Sequence, residues 1–119
     1  MHKTILGAAL CLASASASAM NIDAQGMARF DHSYVSCEAK YPQMRGARDE
    51  AYLSMWRVKA DAKSRSELAA VRKGAAYQAE TRRIRDEEAK KGAPPASTLE
   101  AQCQALWAET QRVRNLAGK

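Results

Sequence analysis

Residues 64–95, SRSELAAVRKGAAYQAETRRIRDEEAKKGAPP, contain both a helix start and a helix stop. Ser64 is followed three residues later by Glu67, just before apolar residues, which is the spacing of a capping box. At the other end, Gly92 suits a left-handed cap and the prolines from Pro94 onward prevent continuation. With few strand-forming residues in the chain, this pattern predicts an all-α protein.

The apolar residues of this predicted helix lie on two faces rather than one. One face extends across Gly74 and the other lies after it, the two are about 160° apart at 100° per residue, and the phase of the apolar stripe jumps around Gly74, Ala75 and Ala76. Either one long helix packs on both sides or the chain kinks near Gly74, and the surrounding alanines favour one long helix. The first face holds Leu68, Val71, Ala75 and Ala79, and the second holds Tyr77, Thr81 and Ile84.

A helix that we label helix A is predicted before this stretch, from Pro42 to about Ala62. Pro42 fits the first turn of a helix, where its missing N–H costs nothing. A narrow apolar stripe should face the core, with Tyr52 and Trp56 on its flank and Leu53 almost opposite, among charged residues. The stripe consists of Met44, Ala47, Ala51, Met55, Val58 and Ala62.

A further helix, helix C, is predicted after the two prolines. Ser97 and Glu100 repeat the capping-box spacing, and Trp107 flanks a compact apolar stripe that ends before Gly118. The stripe consists of Leu99, Cys103, Leu106, Thr110, Val113 and Ala117.

A short N-terminal helix completes the predicted fold. Met27, Phe30, Tyr34 and Cys37 are spaced by three, four and three residues, which suits one face of a helix. The expected architecture is a small up-down-up bundle of three main helices plus this short helix, pinned by one disulfide.

Residues 1–19 have the order of a secretory signal peptide: a basic start at Lys3, an apolar run, and a small-residue tract that ends at Ala19. The apolar run is about nine residues, well short of the roughly 20 needed to cross a bilayer. We therefore expect cleavage after Ala19, a single helical domain over residues 20–119, and a periplasmic or secreted location. Because one cation and no acid leaves, the formal charge falls from +6 to +5.

Cleavage would also remove Cys11, which leaves Cys37 and Cys103 of the three cysteines in the chain. In an oxidising compartment, a lone pair in a small domain with a thin, alanine-rich core is predicted to form a disulfide. The topology agrees, because helices A and C would begin at the same end of the bundle, near these two residues. The alternatives are two free thiols or a metal pair, but no further Cys or suitably placed His completes a metal site.

The residues that catalysis needs are scarce in this sequence. After cleavage His32 is the only histidine, so two-His metal sites are excluded, and a surface position is the plain interpretation of His32. Carboxylates such as Asp86 alternate with arginines and resemble solvated helix faces rather than acid–base pairs. We expect no enzyme activity, no cofactor, no metal and no membrane span.

Aromatic side chains outside the main stripes are the best positive indication of function. They either widen the core or form, with nearby lysines, a patch that binds another protein, since Trp, Tyr and Arg dominate interface hot spots. The predicted function is an exported, non-catalytic protein-binding module, an inhibitor or immunity-type protein acting in the periplasm against a toxin or enzyme directed at the cell envelope. Candidate partner-binding residues are Tyr52, Trp56, Lys59, Lys63, Tyr77 and Ile84.

The excess of Lys and Arg over Asp and Glu supports a different class of function, the binding of an anionic component of the envelope or a small anionic ligand. On a continuous second helix, Arg65, Arg72, Arg83 and Lys90 would fall on nearly the same side and could contact an anion. Acidic neighbours at i,i+4 spacing, such as Asp86 before Lys90, favour a salt-bridged solvent face instead. Export argues against nucleic acid as the partner.

Overall fold

The computed structural model describes residues 21–117, and within that range the chain is helical and contains no strand. The predicted all-α class and the predicted Cys37–Cys103 disulfide are confirmed. The predicted signal peptide lies outside the described residues. None of the helices between residues 21 and 117 is both long and apolar enough to span a membrane. The elements are α1 (Ala24–Lys40), a 3-10 helix (Pro42–Met44), α2 (Arg48–Met55), α3 (Ala62–Arg72), α4 (Ala75–Lys91) and α5 (Ala96–Ala117).

Helix α1 is the centre of the fold and contacts each of the other four α-helices. It begins after the N-cap Asp23, whose carboxylate accepts a hydrogen bond from the Gln25 N–H at 3.2 Å. Met27, Tyr34 and Cys37 are fully buried, which confirms the apolar spacing predicted for an N-terminal helix. With 17 residues, however, α1 is longer than the short helix expected.

The predicted helix A is not one helix. The chain forms a single 3-10 turn at Pro42–Met44, turns at Gly46 with a φ of +81°, and starts α2 only at Arg48. Helix α2 then ends at Met55 instead of continuing to Ala62.

The burial predicted for helix A is also wrong at three positions. Leu53, expected among charged residues, is fully buried, whereas Met55 and Ala62, expected in the core, are exposed, Met55 by 43%. Helix α2 contacts α1, α3 and α5, so most of its circumference is buried and a single narrow stripe cannot describe it. Ala47 and Ala51 are buried as predicted.

The predicted single helix through Gly74 is interrupted. Helix α3 ends at Arg72, and Gly74 takes an extended conformation with a ψ of 158° as the N-cap residue of α4. The break explains the change of apolar face. Leu68 of α3 packs beside Met27 in the core, while Tyr77 of α4 packs against the same cluster from a different helix direction.

Three helix boundaries can be compared with their predicted signals. The capping box of α3 consists of Asp61 and Ser64 rather than Ser64 and Glu67, so the helix starts earlier, at Ala62. The predicted stop of α4 at Gly92 is confirmed by its φ of +85°. Helix α5 begins at Ala96, which places Ser97 inside the first turn rather than at the N-cap.

Two buried clusters form the core, and α1 contributes to both. The first surrounds the disulfide, whose Cα atoms lie 5.5 Å apart, and the second lies between α1, α2 and α3. Cys103 and Thr110 are buried, which confirms the stripe predicted for helix C at those positions. The up-down-up order of three main helices stays a prediction. The first cluster contains Tyr34, Cys37, Met44, Ala47, Ala51 and Cys103, and the second contains Met27, Tyr52, Leu53 and Leu68.

Burial of Tyr34 makes the fold sensitive to alkaline pH. The Tyr34 hydroxyl donates a hydrogen bond to the Met44 carbonyl at 2.7 Å, inside the cluster around the disulfide. Burial disfavours the phenolate and, with the nearby charge of Glu38, raises the pKa of Tyr34 from 10.0 to about 12. Its neutral phenol therefore stabilises the fold below pH 10.0, and this contribution is lost as the pH rises through about 12.

We expect the free energy of unfolding, measured by urea titration, to fall steeply over that alkaline range. The matched variant is Tyr34→Phe, which loses the hydrogen bond and about 1 kcal/mol at neutral pH but has no phenol to ionise. Its decline with pH should be shallower, and the remaining slope should come from Tyr52 and Tyr77, whose pKa values burial also raises. Equal slopes in the two proteins would contradict the assignment to Tyr34.

Candidate functional site

A buried ionic cluster joins four helices at the centre of the described chain. The Asp31 carboxylate on α1 accepts hydrogen bonds from the Arg72 Nε at 2.8 Å and from the Tyr77 hydroxyl at 2.5 Å. Arg72 also donates to Asp49 of α2 at 2.8 Å. Asp31 is only 4% exposed, so this cluster is part of the core rather than a surface that a ligand can reach.

The charge of Arg72 is stabilised inside the protein. Burial opposes the charge, but hydrogen bonds to Asp31 and Asp49 outweigh it and raise the pKa of Arg72 above its ordinary value. Burial and the hydrogen bond to Asp31 likewise raise the pKa of Tyr77. These groups are thereby fixed as a cation and a neutral phenol at neutral pH.

A second ionic cluster is centred on Glu80 of α4, whose side chain is 5% exposed. Glu80 accepts hydrogen bonds from Arg83 at 2.6 and 3.0 Å and from Arg29 of α1 at 3.0 Å. Hydrogen bonds from Arg83 and then Arg29 lower the pKa of Glu80 to about 2. Arg83 also pairs with Glu87 one turn further along α4.

The four predicted anion-binding residues are separated by the break at Gly74. Arg65 and Arg72 lie on α3, whereas Arg83 and Lys90 lie on α4. Arg65 and Lys90 are exposed, but Arg72 and Arg83 are held in the two ionic clusters. These four residues therefore do not form the continuous cationic stripe that the alternative of anion binding requires.

An apolar groove lies between α1, α5 and the end of α2. Its volume is about 480 Å³, within the usual range of ligand clefts. The apolar lining comes from Phe30 of α1, Met55 of α2, and Ala105 and Leu106 of α5. The groove depends on the position of α5, because that helix supplies half of this apolar lining.

The two charged residues that line the groove, Arg29 and Glu109, are already paired. Arg29 donates to Glu80, and Glu109 accepts hydrogen bonds from Arg112 at 2.6 and 3.0 Å. The hydrogen bonds from Arg112 lower the pKa of Glu109, and the positive charge of Arg57 adds to the shift. Arg57 therefore lies close enough to the groove for its charge to be felt there.

Helix α2 ends at the groove in a turn that exposes two large apolar side chains in succession. Met55 is 43% exposed and Trp56 is 58% exposed, and Met55 lines the groove. We call residues 55–58 the α2 turn. Large adjacent apolar side chains are normally buried in a domain with so few of them, so their exposure at a groove marks a candidate binding surface.

The α2 turn has the hydrogen bonds of a Schellman motif. The Val58 N–H donates to the Leu53 carbonyl at 3.0 Å, and the Arg57 N–H donates to the Ser54 carbonyl at 3.2 Å. Arg57 occupies the left-handed position of this motif with a φ of +57°. The backbone of the turn is thus fixed by α2 itself rather than by contacts of its exposed side chains.

Exposed cations continue from the α2 turn into the start of α3. Arg57, Lys59 and Lys63 are exposed. The surface next to Met55 and Trp56 is therefore basic.

The predicted partner-binding residues fall into two groups. Trp56, Lys59 and Lys63 are exposed along the α2 turn and the start of α3. Tyr52 is 3% exposed, Tyr77 is bonded to Asp31, and Ile84 is half-buried on α4. Only the first group is exposed to a partner, because Tyr52 and Tyr77 pack in the same core cluster.

Met55 and Arg57 are surface residues that the sequence did not single out. Met55 was assigned to the core because the helix was continued through the turn. Arg57 gave no signal because glycine is the usual marker of a left-handed cap. A pattern that could have identified Met55 and Arg57 is the consecutive Met-Trp-Arg run at the end of α2, a helix whose apolar residue Leu53 can be buried in place of Met55.

No group of three His, Cys, Asp or Glu between residues 21 and 117 is placed to hold a metal ion. The His32 Nε2 lies 2.7 Å from the Glu88 Oε2 and joins α1 to α4.

Comparison with known proteins found no match to a protein family, to a curated protein or to a solved structure. The surface geometry is therefore the basis for a functional assignment.

Proposed function

We propose that this protein is an exported, non-catalytic protein-binding module, an inhibitor or immunity-type protein acting in the periplasm against a toxin or enzyme directed at the cell envelope. Its docking surface is the α2 turn and the adjoining groove. The observation that carries the proposal is the exposure of Met55, which lines an apolar groove, and of Trp56, the next residue in the chain.

The exposed side chains are of the kinds that supply binding energy in protein interfaces. Trp and Tyr are enriched among interface hot spots, and Met fills irregular partner surfaces because it is flexible. The Trp56 ring packs beside Tyr52, with ring centroids 6.4 Å apart, so the indole has a fixed support while more than half of it is exposed. A supported, exposed aromatic side chain loses little conformational entropy when a partner covers it.

The charge around the α2 turn specifies the chemistry of the partner. Arg57, Lys59 and Lys63 are exposed, while the groove itself is apolar. Complementarity therefore favours a protein segment that presents an apolar face flanked by carboxylates. Because the groove runs between helices, an amphipathic helix is the form of segment that fits it.

The non-catalytic part of the proposal rests on where the perturbed ionisable groups lie. Arg72 and Glu80 are bound to partners inside the protein, and the groove is lined mainly by apolar side chains. The proposed export rests on the signal-peptide pattern of residues 1–19. A disulfide in so small a domain is compatible with an oxidising compartment.

Replacement of Trp56 by alanine is the direct test of the docking surface. We expect Trp56→Ala to weaken binding by roughly 30-fold or more, the loss typical of a tryptophan hot spot. The measurement starts with the oxidised mature protein as bait for a stoichiometric partner in an envelope fraction and among co-secreted proteins. The purified partner is then titrated by calorimetry against wild type and variant.

The matched control is Leu116→Ala, because Leu116 is 59% exposed and does not line the groove. This variant should retain the partner with unchanged affinity, and both variants should keep the wild-type melting temperature. A partner that Trp56→Ala binds as tightly as wild type does would contradict the proposed surface, as would the absence of any stoichiometric partner. Steeply salt-dependent binding to anionic vesicles instead would favour an anionic envelope component.

A further inference from the structure

Arg57 occupies a backbone conformation that glycine adopts at lower energy. Its φ is +57°, and the other residues with positive φ between residues 21 and 117 are both glycines, Gly46 and Gly92. The left-handed conformation brings the Cβ of an L-residue close to its own carbonyl oxygen and is therefore unfavourable. Arginine at this position is a local cost that the hydrogen bonds of the α2 turn impose.

The side chain of Arg57 does not offset this cost by a stabilising contact within the described chain. It is exposed, and no ion pair between residues 21 and 117 uses its guanidinium. Glu109 is the carboxylate that senses its charge, but Glu109 is already held by two hydrogen bonds from Arg112. A strained backbone that presents an unpaired guanidinium is the arrangement found where the side chain acts on something outside the protein.

The position of Arg57 indicates what it acts on. It follows Trp56 directly, and its charge reaches Glu109 at the edge of the apolar groove. A guanidinium carried on a fixed backbone beside an apolar surface can form paired hydrogen bonds with a carboxylate, which a lysine ammonium cannot match in geometry.

We propose that Arg57 is the specificity-determining residue of the docking surface and pairs with a carboxylate on the partner segment. This inference rests on the proposed function, because it assumes that Met55 and Trp56 bind the apolar face of the same segment. The left-handed backbone is retained because it places the guanidinium next to the groove.

The probes are two synthetic amphipathic helical peptides of roughly four turns. Both carry leucines along one face, and they differ only in having glutamate or glutamine beside that face. Wild type should bind the glutamate peptide at least about threefold more tightly at low salt, the size of one exposed charge pair. Titration is followed by the fluorescence of Trp56 in a Trp107→Phe background, which leaves it as the single tryptophan of the chain.

Two variants separate charge from backbone. Arg57→Gly removes both the cation and the unfavourable conformation, so it should lose the preference for glutamate while its melting temperature rises by about 2–5 °C. Arg57→Asn removes the cation but keeps a side chain that tolerates the left-handed region, and it should lose the preference equally. Arg85→Ala, an exposed arginine on α4 away from the groove, is the control and should keep the preference.

The outcomes distinguish this inference from the proposed function. If Arg57→Gly and Arg57→Asn still prefer the glutamate peptide, Arg57 is not the specificity residue, although the docking surface stands as long as Trp56→Ala abolishes binding. If wild type binds neither peptide and Trp56→Ala has no effect on the captured partner, the proposed function is contradicted, and the inference about Arg57 is contradicted with it. An unchanged or lower melting temperature of Arg57→Gly would contradict the argument from backbone strain.

Discussion

Replacing both disulfide cysteines, by Cys37→Ala and Cys103→Ala together, is expected to lower the free energy of unfolding by roughly 4 kcal/mol. The two residues are 66 apart in sequence, and a covalent loop of that size strongly restricts the unfolded chain. Small domains have net stabilities of roughly 5–15 kcal/mol, so the bond supplies a large share of the total. Urea unfolding of the double variant beside the oxidised wild type measures the difference, and alanine avoids burying the hydroxyls that serine would bring.

The loss of protection from hydrogen exchange should be largest in α5. Apart from the disulfide, this helix is held by buried Thr110, by half-buried Leu106 and Trp107, and by the ion pair of Arg114 with Glu50 at 2.7 and 2.8 Å. That ion pair is exposed and worth less than about 1 kcal/mol. Hydrogen exchange in the double variant should therefore accelerate in α5 first and leave α1 protected.

Chemical reduction of the wild-type protein provides the control for the alanine substitutions. Reduced wild type should show the same pattern of exchange, and both proteins should lose the groove, because Ala105 and Leu106 on α5 line it. A change in the free energy of unfolding below about 1 kcal/mol would show that α5 is held mainly by its non-covalent packing. Equal loss of protection in all helices would show that the disulfide stabilises the whole domain rather than α5.

The features predicted correctly from the sequence are those with strong local signals. The pairing of Cys37 with Cys103 followed from the number of cysteines and the predicted topology. The stop at Gly92 followed from a glycine just before prolines, and the stripes of α1 and α5 followed from regular apolar spacing. Each of these depends on residues that are close in sequence or, for the cysteines, on a choice among few alternatives.

The errors arose where tertiary packing determined the local structure. Alanines around Gly74 favour a continuous helix, but a break there lets Leu68 and Tyr77 reach the same core from two helices. Likewise, Met55 is exposed because α2 ends in a left-handed turn at Arg57, where no glycine announces the end. Propensity is a weak constraint compared with the burial of a whole apolar face.

The same limit applies to the candidate site. Sequence reasoning proposed Trp56 as a candidate partner-binding residue, but it grouped Trp56 with Tyr52 and Tyr77, which pack in the core. An aromatic side chain gives the same signal in both settings, because its large apolar area is equally useful in a core and in an interface. Only the packing of neighbouring helices separates the two.

Replacement of the buried Asp31 is the second change that we expect to lower the free energy of unfolding strongly. Its position is unusual in the sequence itself, because it falls four residues after Met27 and three before Tyr34, on the apolar face of α1. Asp31→Ala should lower the free energy of unfolding by roughly 3–5 kcal/mol. The change leaves Arg72 in the core with Asp49 as its remaining hydrogen-bonded carboxylate.

The size of this loss comes from the groups left behind rather than from the pair itself. Arg72 is only 15% exposed at its side chain, and Tyr77 also loses its acceptor. A buried donor without a partner retains the full cost of its lost hydration. Asp31→Asn, which keeps one acceptor oxygen, should therefore destabilise the fold less than Asp31→Ala, and urea unfolding of both variants measures the order.

A double-mutant cycle with Arg72→Met tests this explanation. If the cost is that of a stranded cation, removing Arg72 as well should make the double variant less destabilised than the sum of the single changes. Glu87→Ala is the matched control, because it breaks an ion pair with Arg83 in which both side chains are half-exposed, and it should cost under about 0.5 kcal/mol. Additive costs, or a loss from Asp31→Ala as small as that control, would mean that water replaces the missing carboxylate and that the four helices are held by their apolar contacts alone.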